Sequence, residues 1–169
     1  MIKAVAFDLW ETLITDTPEQ SRKQERLRLR RMAEILAARD IAAPPHRIEH
    51  AYRTLWRRCH ELYWSADVDV PCRRQIEHFV EEMAIEADAA TLDALEHAYA
   101  RAAVDVLPSL VSGAAEVLAE LKARGYRLGL ISNTGRTPGS ALREVLGALD
   151  LAPYIDAMVF SNEHGVCKP

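Results

Sequence analysis

Asp8 lies near the end of the first apolar run of the chain, Ile2 to Leu9 (IKAVAFDL), with Trp10 and Thr12 just beyond it. A carboxylate presented at a strand end can attack phosphorus or an activated carbon and form an acyl-type covalent intermediate. The plainer role for the same residue is to end a strand or cap a turn, and a short motif taken alone favours that role. Ser132 and Asn133 follow a second apolar run, Tyr126 to Ile131 (YRLGLI), and Lys168 stands near the C-terminal end. A hydroxyl with neighbouring backbone N–H groups can hold anionic oxygens, and a lysine can set a positive charge beside a reacting carboxylate. In isolation Ser132 reads as a helix or turn cap, and Lys168 as a solvated lysine.

These residues need a scaffold that brings them together. Runs with little polar alternation suit parallel strands covered on both faces. Ala157 to Phe160 (AMVF) is a third such run, followed by Ser161-Asn162-Glu163. Ser112 to Arg124 reads as a helix capped by Ser112, with Glu116 early, Lys122 and Arg124 late, and Gly125 as a stop. Pro138 to Leu149 reads as an amphipathic helix between the second and third strands. Helix, strand, helix, strand in this order predicts a βαβ unit with parallel strands. In such an open sheet, ligands bind beyond the carboxyl ends of the strands, where Asp8 and Ser132 fall.

The long middle is helical in pattern. Four segments are expected, Pro18–Arg39, Pro45–Trp64, Pro71–Glu86 and Ala89–Asp105, with prolines at the front of three of them. In the first, Leu29, Met32, Ile35 and Leu36 form an apolar stripe beside charged Arg30, Arg31 and Glu34, as for a helix in a small bundle. The expected organisation is an α/β core made of residues 1–16 and 107–169, interrupted by a helical domain at 17–106.

Composition narrows the classes. With 49 % hydrophobic and 27 % charged residues among 169, the chain is globular rather than disordered. A formal charge of -4 gives no general attraction to nucleic acid or anionic membrane. No apolar stretch approaches the ~20 residues of a membrane span, and the N-terminus lacks the regions of a signal peptide. Cys59, Cys72 and Cys167 are odd in number and widely spaced, which fits a reducing cytoplasm better than a disulfide framework.

The stretch Phe7-Asp8-Leu9-Trp10-Glu11-Thr12-Leu13 resembles the first motif of the haloacid dehalogenase-like (HAD) hydrolase superfamily, Asp-x-Asp-x-Thr or a close variant. Leu130-Ile131-Ser132-Asn133 is similar to the second motif, a strand ending in Ser or Thr. Gly165-Val166-Cys167-Lys168-Pro169 is similar to the third, a Lys followed by Pro. The helical insertion is similar to the family's helical cap. Each motif alone is weak; three in order, with the cap in place, cover the whole chain.

The resemblance implies a Rossmann-like parallel sheet and hydrolysis of a small anionic substrate, a phosphate monoester or a 2-haloacid. It implies that Asp8 is the nucleophile, that Ser132 and Lys168 hold phosphoryl oxygens or the equivalent carboxylate, and that the cap closes to exclude water. Trp10, Thr12 and Asn133 are the further candidates for substrate contact or for shaping the adjoining turns. In metal-dependent members Asp8 and the main-chain oxygen of residue 10 would be Mg²⁺ ligands; dehalogenase members need no metal.

The chain departs from the pattern twice. Trp10 occupies the position of the second acid of the phosphatases, and indole cannot exchange a proton at neutral pH. An aromatic there is common in the dehalogenases. Glu11 stands where glycine is common. The family's fourth, acidic motif, which supplies a further Mg²⁺ ligand, is absent, so a fragment or truncated product is expected, with the strand before Asp8 left as a sheet edge. These departures also support a second hypothesis, a degenerate HAD-like domain acting as an interaction module.

Other features read as structural. The basic run Ser21 to Arg31 suits a solvated helix face that could also steer an anion. His46 and His50 suit a surface, and Trp56, Tyr63 and Trp64 suit the core of the insertion, with a substrate-facing aromatic wall as the alternative. Cys167 beside Lys168 could have a lowered pKa, although a neutral packed thiol is the default.

Overall fold

A computed structural model describes residues 2–168. The apolar runs form three strands, β1 (Ala4–Phe7), β4 (Arg127–Ser132) and β5 (Ala157–Phe160). They make a parallel sheet in the order β1-β4-β5. Phe7 stands opposite Leu130, and Ser132 opposite Phe160. This register places Asp8 and Ser132 together at the carboxyl ends of neighbouring strands. Among the described residues β1 pairs only with β4, so its other edge is open, as expected. The expected strand Ile2 to Leu9 is shorter in the structure, because Leu9 turns out of the sheet.

The chain is an α/β fold. β4 leads through α7 (Gly139–Ala148) and a 3₁₀ turn at Ala152–Tyr154 into β5, the anticipated βαβ unit. A short helix α8 (Ser161–His164) follows. Helix α6 (Ala114–Ala123) precedes β4. Ser112 does not cap α6: the cap position is Gly113 at φ +82°, with no side-chain hydrogen bond. The left-handed backbone there favours glycine, and the positive turn replaces the expected serine cap.

Between the two parts of the core lie α1 (Pro18–Ala37), α2 (Pro45–Leu62), a 3₁₀ turn (Trp64–Ala66), α3 (Cys72–Met83), α4 (Ala89–Ala100) and α5 (Ala102–Asp105). The fourth expected segment is therefore broken at Arg101. Prolines start these helices as expected: Pro18 sits in the first turn of α1, and Pro44 and Pro71 occupy cap positions. Thr17 and Gln20 form a reciprocal capping box at α1, with Gln20 N–H donating to Thr17 Oγ1 at 3.2 Å and Thr17 N–H to Gln20 Oε1 at 2.8 Å.

An antiparallel pair that the sequence did not announce joins the two connections to this insertion. β2 (Ile14–Thr15) pairs with β3 (Ser109–Leu110). Gln20 Nε2 donates to Leu107 O at 2.8 Å and thereby ties the start of α1 to the returning chain. Two apolar clusters result. One gathers Leu9, Leu13, Ile14, Leu128, Leu130, Leu142 and Phe160 around the sheet. The other gathers Met32, Leu36, Leu55, Ile76, Phe79, Leu95 and Tyr99 within the insertion. Each fully buried Leu or Phe of this kind contributes roughly 1.5–3 kcal/mol.

Candidate active site

The turn after β1 is organised by Leu9. Its side chain is fully buried, and its carbonyl accepts from Leu13 N–H at 2.8 Å and Ile14 N–H at 3.1 Å. Asp8 is thereby held at the mouth of the sheet, and its Oδ1 accepts from Leu9 N–H at 2.7 Å. Glu11 adopts φ +57°, the left-handed conformation that glycine takes most readily. Its carboxylate accepts from Thr15 Oγ1 at 2.9 Å, a local bond that accompanies the strained backbone.

Lys168 comes to the same point from the other end of the chain. Its Nζ lies 2.6 Å from Asp8 Oδ1, and the two side chains are 32 % and 40 % exposed, so both remain within reach of a solute. Asn133 fixes the lysine backbone: its Oδ1 accepts from Lys168 N–H at 2.8 Å and its Nδ2 donates to Lys168 O at 3.1 Å. Ser132 is buried, and its hydroxyl donates to Asn133 O at 3.0 Å rather than towards Asp8. Thr12 is exposed in the turn. The structure therefore brings Asp8, Lys168 and Asn133 together; Ser132 stands one strand over with its hydroxyl engaged, and Thr12 faces solvent.

Beside them opens a cavity of about 670 Å³, walled on one side by Trp10, Asn133 and Lys168 and on the other by residues of the insertion. Trp56 and Trp64 line it with ring centroids 4.6 Å apart, so these two indoles form a wall of the cavity as well as bordering the insertion's core. Trp56 is 43 % exposed and lies outside the buried cluster, a correction to its expected place in the core. Arg28, within the basic run expected to be solvated, is turned inward and 4 % exposed. It belongs to a buried i, i+4 stripe, Gln24, Arg28, Met32 and Leu36, whose polar half meets the cavity and whose apolar half meets the core. Asp16 also lines the cavity; burial raises its pKa, against the lowering effects of a hydrogen bond from Gln24 and the charge of Arg28.

A buried polar network absent from the sequence reading joins the insertion to the core. Asp69, 4 % exposed, accepts from Trp64 Nε1 and Val70 N–H, each at 2.8 Å. It accepts from Thr134 Oγ1 at 3.1 Å and also from Ser161 Oγ. The adjoining backbone is paired as well: Asp69 N–H donates to Gly165 O at 3.1 Å, and Cys167 N–H to Asp67 O at 2.8 Å. The segment that carries Lys168 is thus strapped to the insertion. The one sequence signal for Asp69 was an acid set between two valines. Cys167 has its pKa raised by burial, with Asp69 and Asp67 adding to the effect, which agrees with the neutral packed thiol taken as the default. Burial likewise lifts Cys59 to about 11 and Cys72 to about 12. His46 and His50 are exposed, as expected.

Gly135, between the strand end and α7, has φ +59°, and a Cβ there would lie 3.2 Å from the Trp56 ring. Both the backbone conformation and the close indole call for glycine. Its carbonyl accepts from the buried Gln75 side chain at 2.9 Å, a second tie from the insertion to this loop.

A carboxylate paired with an ammonium thus stands at the carboxyl end of a parallel sheet, beside a cavity walled on its other side by the helical insertion. Residues 2–169 match the family model of haloacid dehalogenase-like hydrolases, and the chain belongs to that family. A comparison with curated protein sequences found no match. Among solved structures, the chain resembles a predicted phosphoglycolate phosphatase from Haemophilus somnus 129pt, with 16 % identity, TM-score 0.52, and coverage of 99 % of this chain and 66 % of that one. It also resembles L-2-haloacid dehalogenase from Xanthobacter autotrophicus with chloropropionic acid covalently bound, with 20 % identity, TM-score 0.50, and coverage of 100 % and 60 %. A beta-phosphoglucomutase candidate from Thermotoga maritima gives 21 % identity, TM-score 0.53, and coverage of 96 % and 62 %. At these identities the likeness shows the fold. The chain spans 60–66 % of the length of those three proteins. Among the described residues no helix is long and apolar enough to cross a membrane.

The donor set can be tested against Mg²⁺, which wants about six oxygens. The described residues contain no group of three or more His, Cys, Asp or Glu that could hold a metal ion. Asp8 and the main-chain oxygen of Trp10 would supply two oxygens, and an ammonium already sits on one oxygen of Asp8. These residues by themselves do not fit the ion.

Proposed function

We propose that this chain is a hydrolase working through a covalent aspartyl intermediate, with Asp8 as nucleophile, on a small anionic molecule of the phosphate monoester or 2-haloacid type. The observation that carries the reading is the Lys168–Asp8 contact of 2.6 Å at the strand ends, beside an open cavity. An Asp8 oxygen attacks phosphorus, expelling an alkoxide, or attacks the halogen-bearing carbon, expelling halide. Water then cleaves the aspartyl bond and restores Asp8. Lys168 offsets the negative charge of the arriving group. Asn133 positions Lys168 through its backbone, and Ser132, whose hydroxyl would have to turn from Asn133 O, binds an anionic oxygen. Trp10 contributes an apolar wall, and Thr12 shapes the turn.

Residues 1–16 and 107–169 serve as the core and 17–106 as the cap, a division supported by the two apolar clusters. A phosphatase would use Mg²⁺ with ligands beyond those present here; a dehalogenase would use none. Trp10, in place of a proton-exchanging acid, favours carbon–halogen cleavage. A cytoplasmic setting goes with three free cysteines. The test is release of p-nitrophenol from p-nitrophenyl phosphate with and without Mg²⁺, and of halide from 2-chloropropionate without metal. Asp8→Asn is expected to abolish the active reaction, and turnover that survives this substitution, with the amide intact, would remove Asp8 from the nucleophile role.

A further inference from the structure

Two guanidinium groups meet the cavity without a carboxylate partner. Among the described residues Arg136 has neither an ion pair nor a hydrogen bond, and its Nε is buried and unsatisfied. Its guanidinium carbon lies 4.5 Å from the Trp56 ring centroid and 4.9 Å from that of Tyr52. Arg28 is 4 % exposed; its Nε donates to Tyr99 O at 2.8 Å and one Nη to Thr137 Oγ1 at 3.3 Å. Thr137 adjoins Arg136 on the same loop, so the two cations reach the cavity side by side, one from α1 and one from the β4–α7 loop.

Buried charges are ordinarily paired, and buried donors ordinarily bonded. Stacking on aromatic faces holds a guanidinium flat and leaves its edges for a partner that presents two acceptor oxygens, such as a carboxylate or a phosphate. Two of the acids that line the cavity are engaged with other donors. Asp69 accepts from Trp64, Val70, Thr134 and Ser161, and Asp16 accepts from Gln24 at 3.0 Å. Lys168 at the other part of the same cavity is paired with Asp8.

We infer that Arg28 and Arg136 form a second anion subsite, which takes an oxyanion group of the substrate remote from the bond attacked by Asp8. The substrate is then a small molecule with two anionic ends, and the remote end bridges the insertion to the β4–α7 loop. This inference rests on the hydrolytic reading of the Asp8 site, and it is testable by affinity apart from turnover.

Binding is measured on Asp8→Asn protein, by tryptophan fluorescence and calorimetry, for ligand pairs that differ only in the second anion. Ethyl phosphate is set against 2-carboxyethyl phosphate, and 2-chloropropionate against 2-chlorosuccinate; propane-1,3-diyl bisphosphate then tells phosphate from carboxylate. The two-ended member of at least one pair is expected to bind at least tenfold more tightly, from its charge-assisted hydrogen bonds. Arg136→Gln is expected to erase that preference and leave the one-ended ligand unchanged. Arg28 is buried, so Arg28→Lys, which keeps the charge but not the planar fork, accompanies Arg28→Gln and is expected to weaken the preference. Equal affinities within every pair, no binding of any two-ended ligand, or a preference that survives Arg136→Gln would overturn the subsite. Turnover by the Asp8→Asn protein would instead overturn the hydrolytic reading and leave the affinity result to decide the subsite.

Discussion

Replacing Asp69 by alanine should destabilise the protein by about 2–6 kcal/mol, chiefly by stranding two buried donors. The structure supplies the reasons. Val70 N–H and the Trp64 indole N–H are fixed donors aimed at Asp69 Oδ1, each 2.8 Å away, and they would be left without an acceptor. A buried donor stranded in this way costs about 1–3 kcal/mol. The Thr134 and Ser161 hydroxyls lie 3.4 Å apart and can turn towards each other, so their loss is smaller. Asp69→Asn keeps an acceptor for Trp64 and Val70 and offers an NH₂ to two hydroxyls that can accept, so its cost should be only about 1–2 kcal/mol. Urea unfolding followed by near-UV circular dichroism reports both values. An alanine variant within 0.5 kcal/mol of the parent on this scale, or an asparagine variant as damaging as alanine, would refute the assignment of Asp69 as the buried acceptor that ties the insertion to the core.

Three further outcomes are expected. Asn133→Ala removes both bonds to the Lys168 backbone and should lower turnover more than it lowers global stability, as steady-state kinetics beside thermal unfolding would show. Gly135→Ala forces a Cβ into the left-handed region and against Trp56, which should cost roughly 1–2 kcal/mol and shift the tryptophan emission. His78 has its pKa lowered, chiefly by burial, with the charge of Arg58 acting in the same direction and a hydrogen bond to Glu81 opposing. The unfolded chain therefore binds a proton that the folded chain resists, so the stability His78 supports is present above its ordinary value of 6.5 and is lost as pH falls through the window below it. The gap in unfolding midpoint between the parent and His78→Gln should narrow from pH 7.5 to pH 5.5, and a constant gap would refute the burial argument.

The core was legible because its signals are local. Apolar runs ending in Asp8 and Ser132, and prolines at the helix starts, depend on neighbours in sequence. The pairing of Asp8 with Lys168 could be named only through the resemblance, since 160 positions separate them and only the folded sheet brings them together. What stayed hidden depends on contacts between distant segments. Arg28 sits in a run of arginines whose neighbours are solvated, and only its place on the Gln24–Met32 stripe turns it inward. Asp69, Thr134 and Ser161 are three ordinary polar residues until the fold gathers them. The β2–β3 pair involves two residues on each side, too few to leave a periodic signal. Glu11 was correctly singled out from sequence, and the structure gives the reason: the position requires positive φ.

The central claim is that Asp8 becomes covalently attached to the substrate. Rapid acid quench during turnover, followed by peptide mass spectrometry, tests it most directly, with p-nitrophenyl phosphate and Mg²⁺ in one arm and 2-chloropropionate in the other. A transient mass increase on the peptide carrying Asp8, equal to the transferred phosphoryl or 1-carboxyethyl group and missing from Asp8→Asn protein, is the predicted result. Turnover that proceeds with no adduct on that peptide at any quench time, or with the adduct on another residue, would contradict it.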